Sequence, residues 1–214
     1  MIKLEKIQVM NIENAIRGMR NALNSWSHSD SKYDWSAFYT YPYCIGPNDL
    51  ALARRLVKAG SDHRKFLRQI FVSMDITAPL YWWKEFDQYK VGTTTNSCST
   101  MHKIHSKEFS RDDFSCDHMD EGGLAVLDGV IAYLENERLA FNETKDKQHW
   151  HNIIQLLPTS YNQLRTVTFS YENLLNIYHA RKHHKLSEWH ILCDKSETLP
   201  YFTEICLDGE TNGE

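Results

Sequence analysis

From Ile70 to Ile76 the chain alternates with period two: Ile70, Val72, Met74 and Ile76 are interleaved with Phe71, Ser73 and Asp75. This is the pattern of a strand with one buried face. Thr77-Ala78-Pro79 is read as its stop. Pro79 opens a helix expected to run to about Tyr89, because the N–H that proline lacks has no partner in a first helical turn anyway. Trp82, Phe86 and Tyr89 would share one face of that helix. The next stretch, Val91 to Met101, holds Gly92, Thr93, Thr94, Thr95, Asn96, Ser97, Ser99 and Thr100. So many short hydroxyl and amide side chains suit turns and ligand hydrogen bonds better than a packed helix, and a ligand loop is expected.

The 3.6-residue period supplies the other elements. Asn11 can cap a helix with Ile12, Ala15, Ile16, Met19, Leu23 and Trp26 on one face, suited to packing on a sheet. Residues 27–47 are rich in Ser, Asp, Tyr and Pro and read as loop, either a lid or an interface. Asn48 opens a second helix through Leu50, Leu52, Leu56 and Val57, and Gly60 sits where a left-handed C-cap belongs. Ile104 to Glu121 is loop or broken helix. Helices follow over about Leu124–Phe141 and residues 143–157, then a strand or extended link over Arg165–Phe169. Ser170 caps a helix carrying Tyr171, Leu174, Leu175 and Tyr178, whose basic end at Arg181–Lys185 offsets the macrodipole. A last helix spans Ser187–Glu197, stopped before Pro200, and only the last few residues read as disordered.

With 214 residues, 42% of them hydrophobic, the chain can bury one sizeable core, and 1–214 is read as a single domain. A net charge of -4 without a long Lys/Arg run argues against nucleic acid and in favour of small ligands or protein partners. The five cysteines are odd in number and lack CxxC spacing, which points to a reducing, cytoplasmic setting. No apolar run reaches the roughly 18 residues of a membrane span, so no membrane association is expected.

Three histidine groupings, His102-x-x-His105, His149-x-His151 and His183-His184, have spacings that can share an ion. None has a carboxylate at helical spacing or an HExxH pattern, so the expectation is no metal. Cys98 reads as a small buried thiol rather than a nucleophile, and Tyr81-Trp82-Trp83 with Phe86 as either a core cluster or a platform for a planar ring.

Two blocks carry a family resemblance. The run ITAPLYWWKEFDQYKVGTTTNSCSTMH, preceded by the turn at His63, resembles the flavin-dependent thymidylate synthases. In that family a Gly-His turn leads through a strand and an Ala-Pro-started helix to Arg-His-Arg and a Ser-x-Asn-Glu-x-Ser-x-Arg-Tyr loop. A second block, LPTSYNQLRTVTFSYENLLNIYHAR followed by SEWHIL, is similar to the family's Leu-Pro stretch, its helix ending in Leu-Arg, and Ala-Gln-x-Glu-Ile-Arg. Together the blocks cover about a third of the chain.

The resemblance implies an α+β subunit with the thymidylate synthase-complementing-protein-like fold, a short antiparallel or mixed sheet flanked by helices. It also implies a homotetramer binding a nucleotide, with FAD as cofactor and NADPH and methylenetetrahydrofolate as co-substrates, methylating dUMP or a related nucleotide. Asn96 and Ser99 match the family's Asn and second Ser and are the expected catalytic pair. Ser97, His102 and His190 are expected at the substrate, and His63, Lys65, Tyr89, Lys90 and Arg181 at the flavin. Gln88-Tyr89-Lys90 stands for Arg-His-Arg, Met101 for the loop arginine, Glu172 for the arginine at the nucleotide phosphate and Leu192 for the final arginine. Arginine suits such sites because its planar fork makes charge-assisted bidentate bonds to phosphate. A bare Glu172 would oppose phosphate by ~1–4 kcal/mol unless Arg165, Lys182 or Lys185 substituted. The alternative is a descendant without synthase activity that serves as a nucleotide- or flavin-binding or protein-interaction module.

Overall fold

The computed structural model describes residues 2–36 and 42–208. Part of the 27–47 segment read as lid or interface (37–41) and the tail read as disordered (209–214) therefore lie outside the described residues. In chain order the elements are β1 (Lys3–Met10), α1 (Ile12–Gly18), β2 (Lys32–Tyr33), β3 (Tyr43–Cys44), α2 (Pro47–Lys58), β4 (Phe71–Pro79) and α3 (Leu80–Phe86). They continue with β5 (Thr94–Ser97), α4 (Glu121–Thr144), α5 (Lys147–Leu156), β6 (Asn162–Ser170), α6 (Tyr171–Arg181) and α7 (Ser187–Glu197).

The main sheet has the order β1-β4-β6-β5. Thr166 Oγ1 donates to Asp75 at 2.6 Å and Thr168 Oγ1 to Ser73 at 3.2 Å, a register in which β4 and β6 run antiparallel. β1 is a strand that the hydropathy pattern conceals. Leu4, Ile7 and Val9 are its more buried positions, and the phase slips by one at Lys6, whose φ of 49 marks a bulge-like irregularity.

The chain divides into two compact units. The first comprises residues up to Glu5, Asp75–Gln88 and Thr95–Thr166. Its core gathers Ile104, Phe109, Phe114, Leu127, Leu134 and Ile153 beneath the α4–α5 hairpin. The hairpin turns at Lys145, in the left-handed region, and α5 restarts with the Asp146 side chain accepting from Gln148 N. β4 continues through Thr77-Ala78-Pro79 instead of stopping there, and α3 begins one residue later than expected. The helix can start so abruptly because the N–H groups of Leu80 and Tyr81 donate to the carbonyls of Tyr161 and Thr159. α3 ends at Phe86, so Tyr89 is not on its face. Trp82, Trp83 and Phe86 are fully buried against one another, which makes these three rings core, while Tyr81 is partly buried.

The second unit comprises the described residues of Lys6–Met74, Tyr89–Thr94 and the chain from Val167 to Asp208. α1 is shorter than its apolar spacing suggests, and Leu23, expected on its buried face, is 80% exposed. The helix stops because the following residue but one, Arg20, turns inward to Asp49; both side chains are buried and paired at 2.5 Å. α1 packs on the 3-10 turn Lys65–Gln69 that leads into β4. α2 starts at Pro47 rather than Asn48, and its first N–H groups are capped from a distance: Asp30 accepts from Asn48 N at 2.8 Å and Asp49 N at 3.1 Å. That cap requires Gly46, since a Cβ there would lie 2.3 Å from the Asp30 carboxyl. Gly60 has the positive φ expected of it, and α7 has the bounds read from the sequence. Ser170 caps α6 in a reciprocal box with Asn173.

Candidate functional site

In the first unit, the polar segment after α3 is a short exposed strand, β5, followed by a turn, and not loop throughout. Asn96, Ser97, Ser99 and His102 all have exposed side chains there, and so does Cys98, which is therefore not the buried thiol expected. The Ser99 hydroxyl oxygen accepts from Met101 N at 3.1 Å and His102 N at 2.9 Å, so it organises its own turn. Arg165 is drawn elsewhere. Its Nε donates to Gln163 at 3.0 Å, a terminal nitrogen donates to Asp87 at 2.7 Å, and the guanidinium lies 4.3 Å over the Trp83 ring.

In the second unit, Tyr89 and Arg181 meet. Arg181 Nε donates to the Tyr89 hydroxyl at 2.8 Å, and its guanidinium sits 4.8 Å over the ring of Trp189, which packs edge-on to Tyr89. Lys90 is exposed beside them in sequence. The turn that follows is tied to the start of α6: Asn173 Nδ2 donates to Val91 O at 2.7 Å, and Gly92, at φ 73, leaves room for the Asn173 amide. His63 and Lys65 share a cavity of about 370 Å³ with Asp62, Gln69 and Met19. A second cavity of about 820 Å³, lined by Met19, Leu52, Leu56, Arg55 and His28, shares Met19 and Leu56 with it. His190 is turned to the main chain, with Nε2 2.7 Å from the carbonyl of His184.

Glu172 is the position at which the chemistry changes most from the sequence reading. It is nearly buried in the first turn of α6 and is gripped by two arginines: Arg64 Nε donates to one carboxylate oxygen at 3.2 Å, and Arg68 bonds both oxygens. Arg64 also donates to Asn176 at 3.0 Å. Burial pushes the Glu172 carboxyl up, but the hydrogen bonds and charges of Arg68 and Arg64 outweigh it and hold the carboxyl below its usual range. Two guanidiniums on one carboxylate leave a net positive charge, so the repulsion expected of a bare Glu172 does not arise. Lys182 lies over the ring of Tyr178. Neither it nor Arg165 supplies the compensating charge; Arg64 and Arg68 do. The basic turn was visible in the sequence as His63-Arg64-Lys65, but its partner lies more than 100 residues away, beyond the reach of local pattern.

No family model matches the sequence, and no curated protein matches it. Solved structures do. Thymidylate Synthase X (ThyX) from Helicobacter pylori, with FAD and dUMP, superimposes with a TM-score of 0.70 at 17% identity, covering 98% of this chain and 99% of that one. The chain has the flavin-dependent thymidylate synthase fold. A second Helicobacter pylori flavin-dependent thymidylate synthase, complexed with FAD and dUMP, gives a TM-score of 0.68 at 16% identity over 95% of this chain and 99% of that one. The UMP/dUMP methylase PolB from Streptomyces cacaoi, bound with 5-Br dUMP, gives 0.67 at 12% identity over 99% of this chain and 95% of that one. Identities this low speak for the fold alone, which is the α+β class with a small antiparallel sheet expected from the sequence. Among the described residues no helix is long and apolar enough to cross a membrane, and no three His, Cys, Asp or Glu side chains converge as metal ligands would.

Proposed function

We propose that this protein is an FAD-dependent nucleotide methylase of the thymidylate synthase kind, which reductively methylates dUMP or a related nucleotide with methylenetetrahydrofolate and NADPH. The observation that carries the reading is the Arg64–Glu172–Arg68 cluster. Glu172 stands where the resemblance puts a phosphate-binding arginine, and the two guanidiniums give that position the positive charge a phosphate needs. The donor set also fits a flavin dinucleotide: exposed Lys65 and Lys90 can reach a diphosphate, while Arg181 is pre-ordered by Tyr89 and Trp189. Bound FAD supplies the electrons that NADPH provides. In the first unit, Asn96 and Ser99 would orient the nucleotide base, with exposed Ser97 and His102 beside them in sequence. The protein works as a homotetramer; supporting this, α4 is apolar on several sides in its first half, yet only Leu127 and Leu134 are buried, and Val126 is 70% exposed.

One observation favours a second reading, a descendant that binds nucleotide or flavin without catalysis. Leu192, where the family's final arginine would be, is fully buried in α7, and Met101, at the loop arginine, has no donor to offer. The test is formation of the 5-methylated nucleotide from dUMP in the presence of FAD, NADPH and methylenetetrahydrofolate. Product formation that is lost in Arg68→Ala supports the enzyme. Binding of FAD and dUMP without product supports the second reading.

A further inference from the structure

The turn Cys98–His102 is exposed, rich in small polar residues and without a hydrophobic anchor of its own beyond half-exposed Met101. Such a segment has many conformations open to it unless its backbone is held. Three bonds from packed elements hold it. Cys98 N donates to Leu164 O of β6 at 2.9 Å. Gln163 Nε2 donates to Cys98 O at 2.6 Å. Trp150, on the first turns of α5, donates its indole N–H to Met101 O at 2.9 Å. The Ser99 hydroxyl then closes the turn from inside.

Both side-chain donors are themselves fixed. Gln163 is buried, its Oε1 accepts from Arg165, and its own carbonyl accepts from Trp83 Nε1 at 2.9 Å. Trp150 packs against the hydrophobic cluster under the α4–α5 hairpin. Neither residue touches a group assigned to chemistry, and neither is needed to satisfy a helix or sheet. Their common property is that each aims an N–H at a carbonyl of the same exposed turn.

We infer that Trp150 and Gln163 are positioning residues, which fix the backbone of Cys98–His102 and thereby the outward directions of Ser99 and His102. The function of that ordering rests on the nucleotide reading above, whereas the ordering itself does not. Loss of one such hydrogen bond should raise the open population of the turn about tenfold.

The experiment compares wild type with Trp150→Phe, which keeps the ring and removes the donor, Trp150→His, which keeps a ring N–H, and Gln163→Met. Amide hydrogen exchange is followed at Met101 and His102, with Ile153 and Ile154 of α5 as internal references, and dUMP affinity is measured on the same samples. The expected result is exchange about tenfold faster at Met101 and His102 in Trp150→Phe and Gln163→Met, partial restoration in Trp150→His, unchanged α5 amides, and weaker dUMP binding. Unchanged exchange in the turn, or acceleration spread equally over α5, overturns the positioning role. Local acceleration in the variants, with a wild type that binds no dUMP, upholds positioning and overturns the nucleotide reading instead.

Discussion

Two buried carboxylates of the second unit, Glu172 and Asp49, do different work. Asp49 is wholly buried and accepts from Arg20, from the Ser29 and Ser31 hydroxyls and from the Asp30 and Ser31 amides. Burial pushes its carboxyl up, while those serine and arginine bonds together bring it below the usual range. Asp49→Ala strands Arg20 in the core and is expected to cost about 3–5 kcal/mol in denaturant unfolding. Glu172 instead pairs with Arg64 and with the half-exposed Arg68. Arg68→Ala is expected to weaken dUMP binding by about tenfold or more with modest loss of stability, since Arg68 is half exposed and a charge-assisted bond to phosphate is the larger effect. The pH dependence has a definite sign. A carboxyl depressed in the folded state stabilises fully above its ordinary value, and that contribution fades as pH falls through the depressed one. Arg64→Ala relieves part of the depression at Glu172, so acid unfolding should begin at higher pH in that variant than in wild type, as circular dichroism along an acid titration would record.

Caps and turns decide where the elements begin and end, and here local sequence was informative to different degrees. Ser170, Gly60 and the bounds of α7 were legible because a cap or a left-handed glycine is a single-residue signal. Ser170→Ala is expected to cost about 1 kcal/mol by removing the α6 cap, a shift in denaturation midpoint that Ser170→Asn should largely avoid. The overlong α1 and the missing β1 were not legible, for opposite reasons. In α1 the apolar spacing continues past Gly18, but the buried Arg20–Asp49 pair redirects the chain. In β1 the alternation is broken by the irregular Lys6, and a short window shows no period at all. The exposed turn after β5 was recognised from its composition, whereas the donors that hold it, Trp150 and Gln163, come from segments 49 and 65 residues away in the chain.

Across the whole chain, the fold was recoverable from two blocks covering about a third of the sequence, and the structural matches then extend over nearly all of it. The charges at the candidate site were recoverable only in part, because Arg64, Arg68 and Glu172 become one group through tertiary contact. Assembly is a further consequence of the account. Light scattering should give about four times the 25.1 kDa chain mass, and Val126→Glu on the exposed side of α4 should lower it while leaving helix content unchanged.

The central claim is that this fold still holds flavin beside a nucleotide. The visible absorption spectrum of the purified protein, recorded before and after addition of excess FAD and removal of the unbound fraction, tests it most directly. The account predicts a retained flavin band, perturbed on addition of dUMP and diminished in Lys90→Ala. A well-folded protein that retains no flavin under these conditions would contradict it.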